Sequence, residues 1–301
     1  MNSLEDSIGM LVTEQNNSDT FNIDICDTNE LVEMINHEDQ KVSFAVRKQK
    51  RQIAESIDLA ASRLREGGRM FYIGAGTSGR LGIVDASECK ATYGVPGEMV
   101  QAIIPGGRDT IWDASDGDED DFNEGFRQIE VYGITFKDIV IGITASGRTP
   151  FVLGALAGAR KTGAATVGIC NNPHTPIHEI AQITIAVITG PEVIQGSTRM
   201  KAGTAQKMVL NMISTGAMVR IGKTYHNLMV DLLANNEKLR DRAGRIVAQA
   251  TGAGEEEARS VLRACGYHVK TAIVCILKAC KKEEAEIYLD ECDGFISQIV
   301  K

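Results

Sequence analysis

Several features that would place this chain in other protein classes are missing from its sequence. There is no run of Lys and Arg, and 32 basic side chains face 40 acidic ones, a net charge of -8. This balance disfavours nucleic acid and anionic membranes as partners. No segment reaches the roughly 18 apolar residues of a membrane span, and residues 1–17 lack the apolar stretch of a secretory signal. The sequence therefore predicts a soluble, cytoplasmic protein.

Cysteine pairs and metal-ligand spacings are also missing. The 7 cysteines are scattered without a C-x-x-C pair, which favours reduced thiols over a disulfide framework or a zinc site. His174 and His178 stand four residues apart, but no further ligand follows in register. We therefore predict no metal site.

Short apolar runs alternate with helical segments through the middle of the chain. Only 6 prolines accompany 30 glycines, which favours tight turns. Strands that alternate with helices predict a three-layer α/β fold with a doubly wound parallel five-stranded sheet. The five predicted strands are residues 70–73, 99–104, 139–144, 165–169 and 183–188.

Composition divides the chain into three predicted parts. Residues 1–45 are an N-terminal arm and a short helix over 30–36, with 1–27 too polar and turn-rich to pack as a regular element. Residues 46–236 contain the sheet. Residues 237–301 turn to charged helix formers and predict a small C-terminal helical module.

Three loops have the composition of anion-binding sites: Gly74–Gly79, Ala145–Pro150 and Gly196–Gly203. In a parallel sheet, ligands bind at the carboxyl ends of strands, where helix N-termini present free N–H groups. In the first loop, Thr77 and Ser78 add O–H donors, which suit the acceptor oxygens of a phosphate ester. The second loop, taken alone, also fits simple helix capping, with a proline in the first turn.

The first loop also matches G-x-G-x-x-G, the fingerprint of dinucleotide binding. The second strand, however, runs into Ile103–Gly107 without the acidic residue that would bind a ribose. A compact phosphate ester is therefore favoured over NAD.

Two acidic segments are candidates for acid–base chemistry. In Asp85–Cys89, partial burial of Glu88 between apolar neighbours would raise its pKa toward useful values. Asp116–Asp120 follows the second strand and also fits a solvated, helix-capping acidic face. Composition alone leaves both interpretations open.

Long stretches of this sequence closely resemble the N-acetylmuramic acid 6-phosphate etherases. The resemblance extends from about Thr13 to the C-terminus, and its motifs are far more specific than G-x-G-x-x-G alone. They are residues 73–89, 145–150, 196–207, 227–231 and 236–239. The resemblance implies a sugar isomerase (SIS) domain followed by a ubiquitin-associated-like helical module.

It also implies a lyase that cleaves the D-lactyl ether of N-acetylmuramic acid 6-phosphate, giving N-acetylglucosamine 6-phosphate and D-lactate without a cofactor. By motif position, Glu88 matches the general acid and Glu119 the second catalytic carboxylate, which we assign to C2 deprotonation. The residues expected to bind the substrate are Gly76, Thr77, Ser78, Ser146, Gly147, Thr149, Ser197, Thr198 and Lys201. Arg80, Arg148 and Arg199 are available for the lactyl carboxylate.

The chain departs from the family's pattern near the expected site. Lys90-Ala91 replaces a usual Pro-Pro pair, and Asp116 stands where Glu is common. On a straight helix, Glu88 would lie about 15 Å along the axis from Ser78. We therefore expect either a helix break near residues 83–85 or a neighbouring subunit that completes the site in a homodimer.

Two other functions fit the same fold. A non-catalytic SIS-type sensor of sugar phosphates would keep the hydroxyl-rich loops and lose the carboxylates. An aldose–ketose isomerase of sugar phosphates would keep a base for C2 and need no acid directed at the lactyl group. The presence of both Glu88 and Glu119 favours the etherase.

Overall fold

The computed structural model describes residues 8–112 and 117–300. By internal contacts these residues form two compact units. The first extends to Ala86 and resumes over Glu98–Ile213, and the second comprises Ser87–Gly97 and the chain from Ser214 onward.

Five parallel strands form the sheet of the first unit. They are β1 (Met70–Gly74), β2 (Val100–Ile103), β3 (Ile139–Ile143), β4 (Ala165–Cys170) and β5 (Ile183–Ala186), in the order β2-β1-β3-β4-β5. Every residue of β1, β3 and β4 is buried, because helices cover both faces of a doubly wound sheet. The predicted fold class and its five strands are thus confirmed.

Twelve α-helices, numbered here in chain order, lie in the two units among the described residues. They are α1 (Thr28–Lys48), α2 (Lys50–Arg65), α3 (Gly76–Tyr93), α4 (Phe122–Val131), α5 (Pro150–Thr162), α6 (Ile177–Ile180), α7 (Lys201–Arg220), α8 (Glu237–Thr251), α9 (Glu255–Ala264), α10 (Val269–Lys278), α11 (Lys282–Glu291) and α12 (Ile296–Ile299).

Helix α1 is longer than the short helix predicted over residues 30–36. Asp27 and Glu30 form a reciprocal capping box at its start, and the polar residues after the predicted end continue the helix with most side chains exposed. The polar composition after residue 36 therefore marks a solvent-facing surface of the helix rather than its end.

The N-terminal segment is packed in its described part, which differs from the expected unpacked arm. Leu11, Thr13, Asn17 and Thr20 are buried. Asn17 Nδ2 donates to a backbone carbonyl at 3.3 Å, and Thr20 Oγ1 donates to the carbonyl of Val193 at 2.8 Å. Hydrogen bonds to a distant part of the chain thus hold a segment that lacks a continuous apolar face.

The second unit has its own apolar core, built from α8 to α12 and the segment before them. The carboxylate of Asp231 joins two parts of this unit, because it pairs with Lys270 at 2.6 Å and with Lys223 at 3.3 Å. Among the described residues no single helix has the length and apolarity to cross a bilayer. The bent pair α9 and α10 meets that criterion only when both helices are taken together.

Candidate active site

The first loop connects β1 to α3 through a turn that requires glycine at two closely packed positions. A Cβ on Gly79 would lie 2.3 Å from the carbonyl oxygen of Gly74, and one on Gly74 would lie 2.8 Å from the backbone nitrogen of Gly79. Both glycines thus serve strand-to-helix packing. The helix begins at Gly76, so the first N–H groups of α3 face the end of the strand.

The hydroxyl of Ser78 is oriented by a buried chain of hydrogen bonds. Ser78 Oγ donates to Gln206 Oε1 at 2.8 Å, and Gln206 Nε2 donates to Asn171 Oδ1 at 3.0 Å. Asn171 Nδ2 then donates to the backbone carbonyl of Val187 at 2.9 Å. The backbone carbonyl of Val187 can only accept a hydrogen bond, so it fixes the donor and acceptor of each hydrogen bond in this series. The Ser78 proton is therefore directed away from a ligand, to which this residue offers an oxygen lone pair and its backbone N–H.

The second loop, between β3 and α5, holds three hydroxyls together. The buried Thr144 Oγ1 lies 2.8 Å from Thr149 Oγ1 and 3.2 Å from Ser146 Oγ. Thr149 is the N-cap residue of α5, yet its side chain makes no capping hydrogen bond within the described chain. Its hydroxyl belongs to this cluster, so helix capping does not explain it.

Gly147 is a position in this loop at which the backbone conformation and a close contact require glycine. Its φ is 71°, and a Cβ would lie 2.1 Å from Thr175 Oγ1. The glycine lets the loop turn back over residues that follow β4.

The third loop precedes α7 and is held by a carboxylate from within the protein. Glu192, fully buried, accepts hydrogen bonds from the backbone N–H groups of Lys201 and Ala202, each at 2.9 Å. Burial raises the pKa of Glu192, although these two N–H groups oppose the shift. The N-terminus of α7 is therefore already occupied by an acceptor.

The Lys201 side chain forms a buried ion pair within the protein. Its side chain is 1% exposed and its ammonium group pairs with Glu38 of α1, which Lys41 also contacts. Burial would raise the pKa of Glu38, but hydrogen bonds from Lys201 and Lys41 lower it to about 2. Lys201 does not line the pocket described next, so its part in substrate binding stays a prediction.

A pocket of about 220 Å³ opens at the carboxyl end of the sheet, within the first unit. Hydroxyl side chains and two carboxylates dominate its wall. It is lined by Thr13, Glu14, Ala75, Gly76, Thr77, Ser78, Glu119, Ile143, Thr144, Ala145, Ser146, Thr149 and Thr198.

The pocket brings together residues predicted from all three loops and one of the two acidic segments. Glu119 lies in a short 3-10 helix, Asp118–Asp120, and is exposed. Helix α4 is capped by the next residue, Asp121, whose carboxylate accepts the N–H of Glu124 at 2.9 Å. Capping therefore does not account for Glu119. Asp116 lies outside the described residues.

Ser197 and Gly147 adjoin the pocket in sequence without lining it. Glu88 belongs to the second unit and is exposed, in contrast to the partial burial expected from its neighbours. Helix α3 is continuous from Gly76 to Tyr93, so of the two alternatives expected from the sequence, the helix break near residues 83–85 does not occur. Asp85 lies within this helix, and its buried carboxylate accepts hydrogen bonds from Tyr72 and Asn211, at 2.8 and 2.5 Å.

Thr13 and Glu14 bring to the pocket a segment in which no site residue was predicted. Thr13 and Asn172 share a pair of hydrogen bonds, at 3.4 and 3.0 Å, and Asn172 also binds the carbonyl of Ala145 in the second loop. The carbonyl of Glu14 accepts from Gln195 at 2.7 Å, just before the third loop. One signal was available, because the resemblance to the etherases begins at Thr13.

Of the arginines proposed for the lactyl carboxylate, Arg80 is already engaged. Its guanidinium donates to the carbonyls of Ile111 at 2.6 Å and Thr110 at 3.1 Å. Arg199 lies within the third loop and is exposed. The pocket can thus receive an anion on hydroxyl and N–H groups, while its carboxylates can accept protons.

This combination of fold and site defines a SIS-domain protein. Residues 126–216 match the family described as "SIS domain", and residues 52–160 match the "Glucokinase regulatory protein N-terminal SIS domain". Among solved structures, the chain resembles phosphoheptose isomerases from Neisseria gonorrhoeae and Francisella tularensis. The first has a TM-score of 0.49 at 15% identity, covering 64% of this chain and 98% of that one. The second has a TM-score of 0.47 at 16% identity, covering 62% and 98%.

Sequence relatives define the family more narrowly. The N-acetylmuramic acid 6-phosphate etherase of Clostridium acetobutylicum is 51% identical over 100% of this chain and 99% of its own length. The enzymes of the same name from Clostridium beijerinckii and Caldanaerobacter subterraneus are each 50% identical over 97% of this chain, and over 96% and 95% of their own lengths. The chain therefore belongs to the N-acetylmuramic acid 6-phosphate etherase family.

Proposed function

We propose that this chain is a carbon–oxygen lyase that cleaves the D-lactyl ether of N-acetylmuramic acid 6-phosphate. The products are N-acetylglucosamine 6-phosphate and D-lactate, formed in the catabolism or recycling of cell-wall amino sugars. The observation that carries the proposal is the 51% identity to an etherase over the entire chain. The hydroxyl-rich loops bind the sugar phosphate, and the two glutamates perform the chemistry.

The reaction needs one carboxylate and one carboxylic acid. In the open-chain sugar, the C1 aldehyde makes the C2 hydrogen acidic, and the Glu119 carboxylate removes it as a proton. The C2–H electron pair forms a C2=C3 double bond, the C3–O bond breaks, and the departing lactyl oxygen takes the proton of Glu88. Water then adds: its oxygen joins C3 as Glu88 recovers a proton, and C2 regains one from Glu119. Both carboxyl groups end as they began.

We further propose a homodimer in which a neighbouring copy completes each site. Two observations support this arrangement. Helix α3 has no break that would fold Glu88 back toward Ser78, and Glu88 is exposed on its own chain. A carboxylate on the surface of one copy is available to the pocket of the other.

The proposed compartment is the cytoplasm. None of the 7 cysteines forms a disulfide, and the Sγ atoms of Cys265 and Cys275 are 3.9 Å apart, in hydrogen-bond contact rather than covalently linked. Adjacent free thiols are typical of proteins kept in a reducing compartment.

The proposed activity is tested by incubating the purified protein with N-acetylmuramic acid 6-phosphate in heavy water containing a chelator. Release of D-lactate, with deuterium at C2 of the sugar product, is the expected result. Glu119→Ala should abolish C2 exchange, whereas Glu88→Ala should mainly block lactate loss. Glu130→Ala, an exposed glutamate on α4, is the matched control and should leave both signals unchanged.

Other outcomes of this experiment would indicate a different function. Binding of the sugar phosphate without lactate release would indicate a sensor, the function that the match to a regulatory-protein SIS domain favours. Turnover of glucosamine 6-phosphate or fructose 6-phosphate would indicate an isomerase. Equal loss of C2 exchange in both variants would contradict the assigned roles of the two glutamates.

A further inference from the structure

The helix N-termini beside the three loops differ in what they can accept. At α7 the buried Glu192 carboxylate accepts the N–H groups of Lys201 and Ala202. At α5 the Thr149 side chain does not cap the helix, and at α3 Ser78 donates its proton away, to Gln206. A phosphate needs N–H donors and a positive dipole end, so α3 and α5 can receive it whereas α7 cannot.

A second carboxylate lies beside the third loop. Glu14 Oε2 is 3.2 Å from the position that a Cβ on Gly196 would occupy, and Glu14 shares the pocket wall with Thr198. Within residues 8–112 and 117–300, this carboxylate has no ion-pair or side-chain hydrogen-bond partner. A carboxylate is an acceptor and repels a phosphate dianion at short range.

The backbone around Glu14 is fixed before any ligand arrives. Its carbonyl accepts from Gln195, and the preceding Thr13 is bound to Asn172. Asn172 in turn holds Ala145 of the second loop. The carboxylate is therefore presented from a segment tied to both neighbouring loops, a geometry that suits recognition by a preorganised group.

We infer that the pocket has a phosphate end at the first two loops and a sugar end at the third, where Glu14 accepts a hydrogen bond from a sugar hydroxyl or the acetamido N–H. Glu14 is thus a specificity-determining residue for a polyhydroxylated sugar phosphate. The inference rests on the proposed function, and it assigns Ser197 and Thr198 to the sugar, although the sequence of their loop predicts an anion-binding site.

The test compares two ligands that share only the phosphate. Dissociation constants for N-acetylglucosamine 6-phosphate and inorganic phosphate are measured by calorimetry for the wild type, Glu14→Ala and Glu14→Gln. Loss of a hydrogen bond to a charged group should weaken sugar-phosphate binding by about tenfold or more in Glu14→Ala. Inorganic phosphate should bind as well as before, or more tightly, because a negative charge has been removed. Glu14→Gln keeps an acceptor and should recover part of the loss.

Gln15→Ala, at the exposed neighbouring position, is the matched control and should change neither constant. Equal weakening of both ligands by Glu14→Ala and Glu14→Gln, or no weakening of either, would overturn the inference. A purely structural role would shift both constants in the same direction. These titrations need no turnover, so a wild type that binds the sugar phosphate but releases no D-lactate would refute the proposed function while leaving the test of Glu14 intact.

Discussion

Replacement of Lys201 by methionine should cost stability rather than substrate affinity. The Lys201 and Glu38 side chains are 1% and 2% exposed, so neither charge has water as an alternative partner. Burial alone would raise the pKa of Glu38, but hydrogen bonds from Lys201 and Lys41 outweigh burial and lower this pKa to about 2. The fall from 4.5 to about 2 corresponds to about 3 kcal/mol.

The direction of the pH dependence follows from this shift. Because the pKa of Glu38 is lower in the folded protein, the contribution is complete above pH 4.5 and is lost as the pH falls toward 2. Removing one partner of a buried ion pair costs about 3–5 kcal/mol. Lys41 stays near Glu38 but is 41% exposed, so Lys201→Met should lose about 3 kcal/mol at pH 7.

Urea unfolding at pH 7 and at pH 3 measures this loss, and the KM for the sugar phosphate is measured on the same variant. We expect a smaller difference from the wild type at pH 3 and a KM within about twofold, since Lys201 does not line the pocket. Glu38→Leu combined with Lys201→Met should recover much of the stability, because apolar replacement of a buried pair is often neutral. Lys207→Met, on the exposed surface of α7, is the control. Unchanged stability with a raised KM would refute the reasoning and support Lys201 as a substrate-binding residue.

Three further outcomes are expected. Mixing Glu88→Ala with Glu119→Ala should restore about a quarter of wild-type lactate release if each site is shared between two copies. Random exchange of subunits makes half of the dimers mixed, and each mixed dimer has one intact site of two. No recovery of lactate release after confirmed subunit exchange would exclude shared sites. Gln206→Met should lower the free energy of unfolding by about 1–3 kcal/mol, measured in urea, by leaving the buried Asn171 oxygen without its donor. Gly147→Ala should lower the melting temperature and weaken inorganic phosphate binding, because of its φ of 71° and the contact with Thr175; a wild-type phosphate constant would contradict this.

The sheet and the loops could be predicted because their signals are local. Strands buried on both faces have continuous apolar sequences, and residues 139–143 show this pattern within a few positions. The glycines and hydroxyls that end β1 and β3 adjoin their strands in sequence, so parallel topology alone gathers them at one edge.

The N-terminal part of the pocket could not be predicted from pattern. Thr13 contacts Asn172 across 159 positions, and the carbonyl of Glu14 contacts Gln195 across 181. These contacts use amide and backbone groups, which leave no periodic apolar signal in the sequence. The same holds for Lys201, whose neighbours in sequence suggest a ligand-binding cation while its partner Glu38 lies 163 residues away.

The connection between β5 and α7 shows why such distant contacts matter for the site. It has no helix or strand from residue 187 to 200, yet it carries Ser197 and Thr198. Thr20 binds its carbonyl at Val193, Glu192 ties it to the start of α7, and Gln195 binds the carbonyl of Glu14. A flexible loop of this length would lose conformational entropy when a ligand binds. Because these hydrogen bonds already order the loop in the folded protein, less entropy is lost on binding. Variants that release the loop, such as Thr20→Val, should therefore weaken sugar-phosphate binding while leaving inorganic phosphate, bound at the other two loops, unaffected.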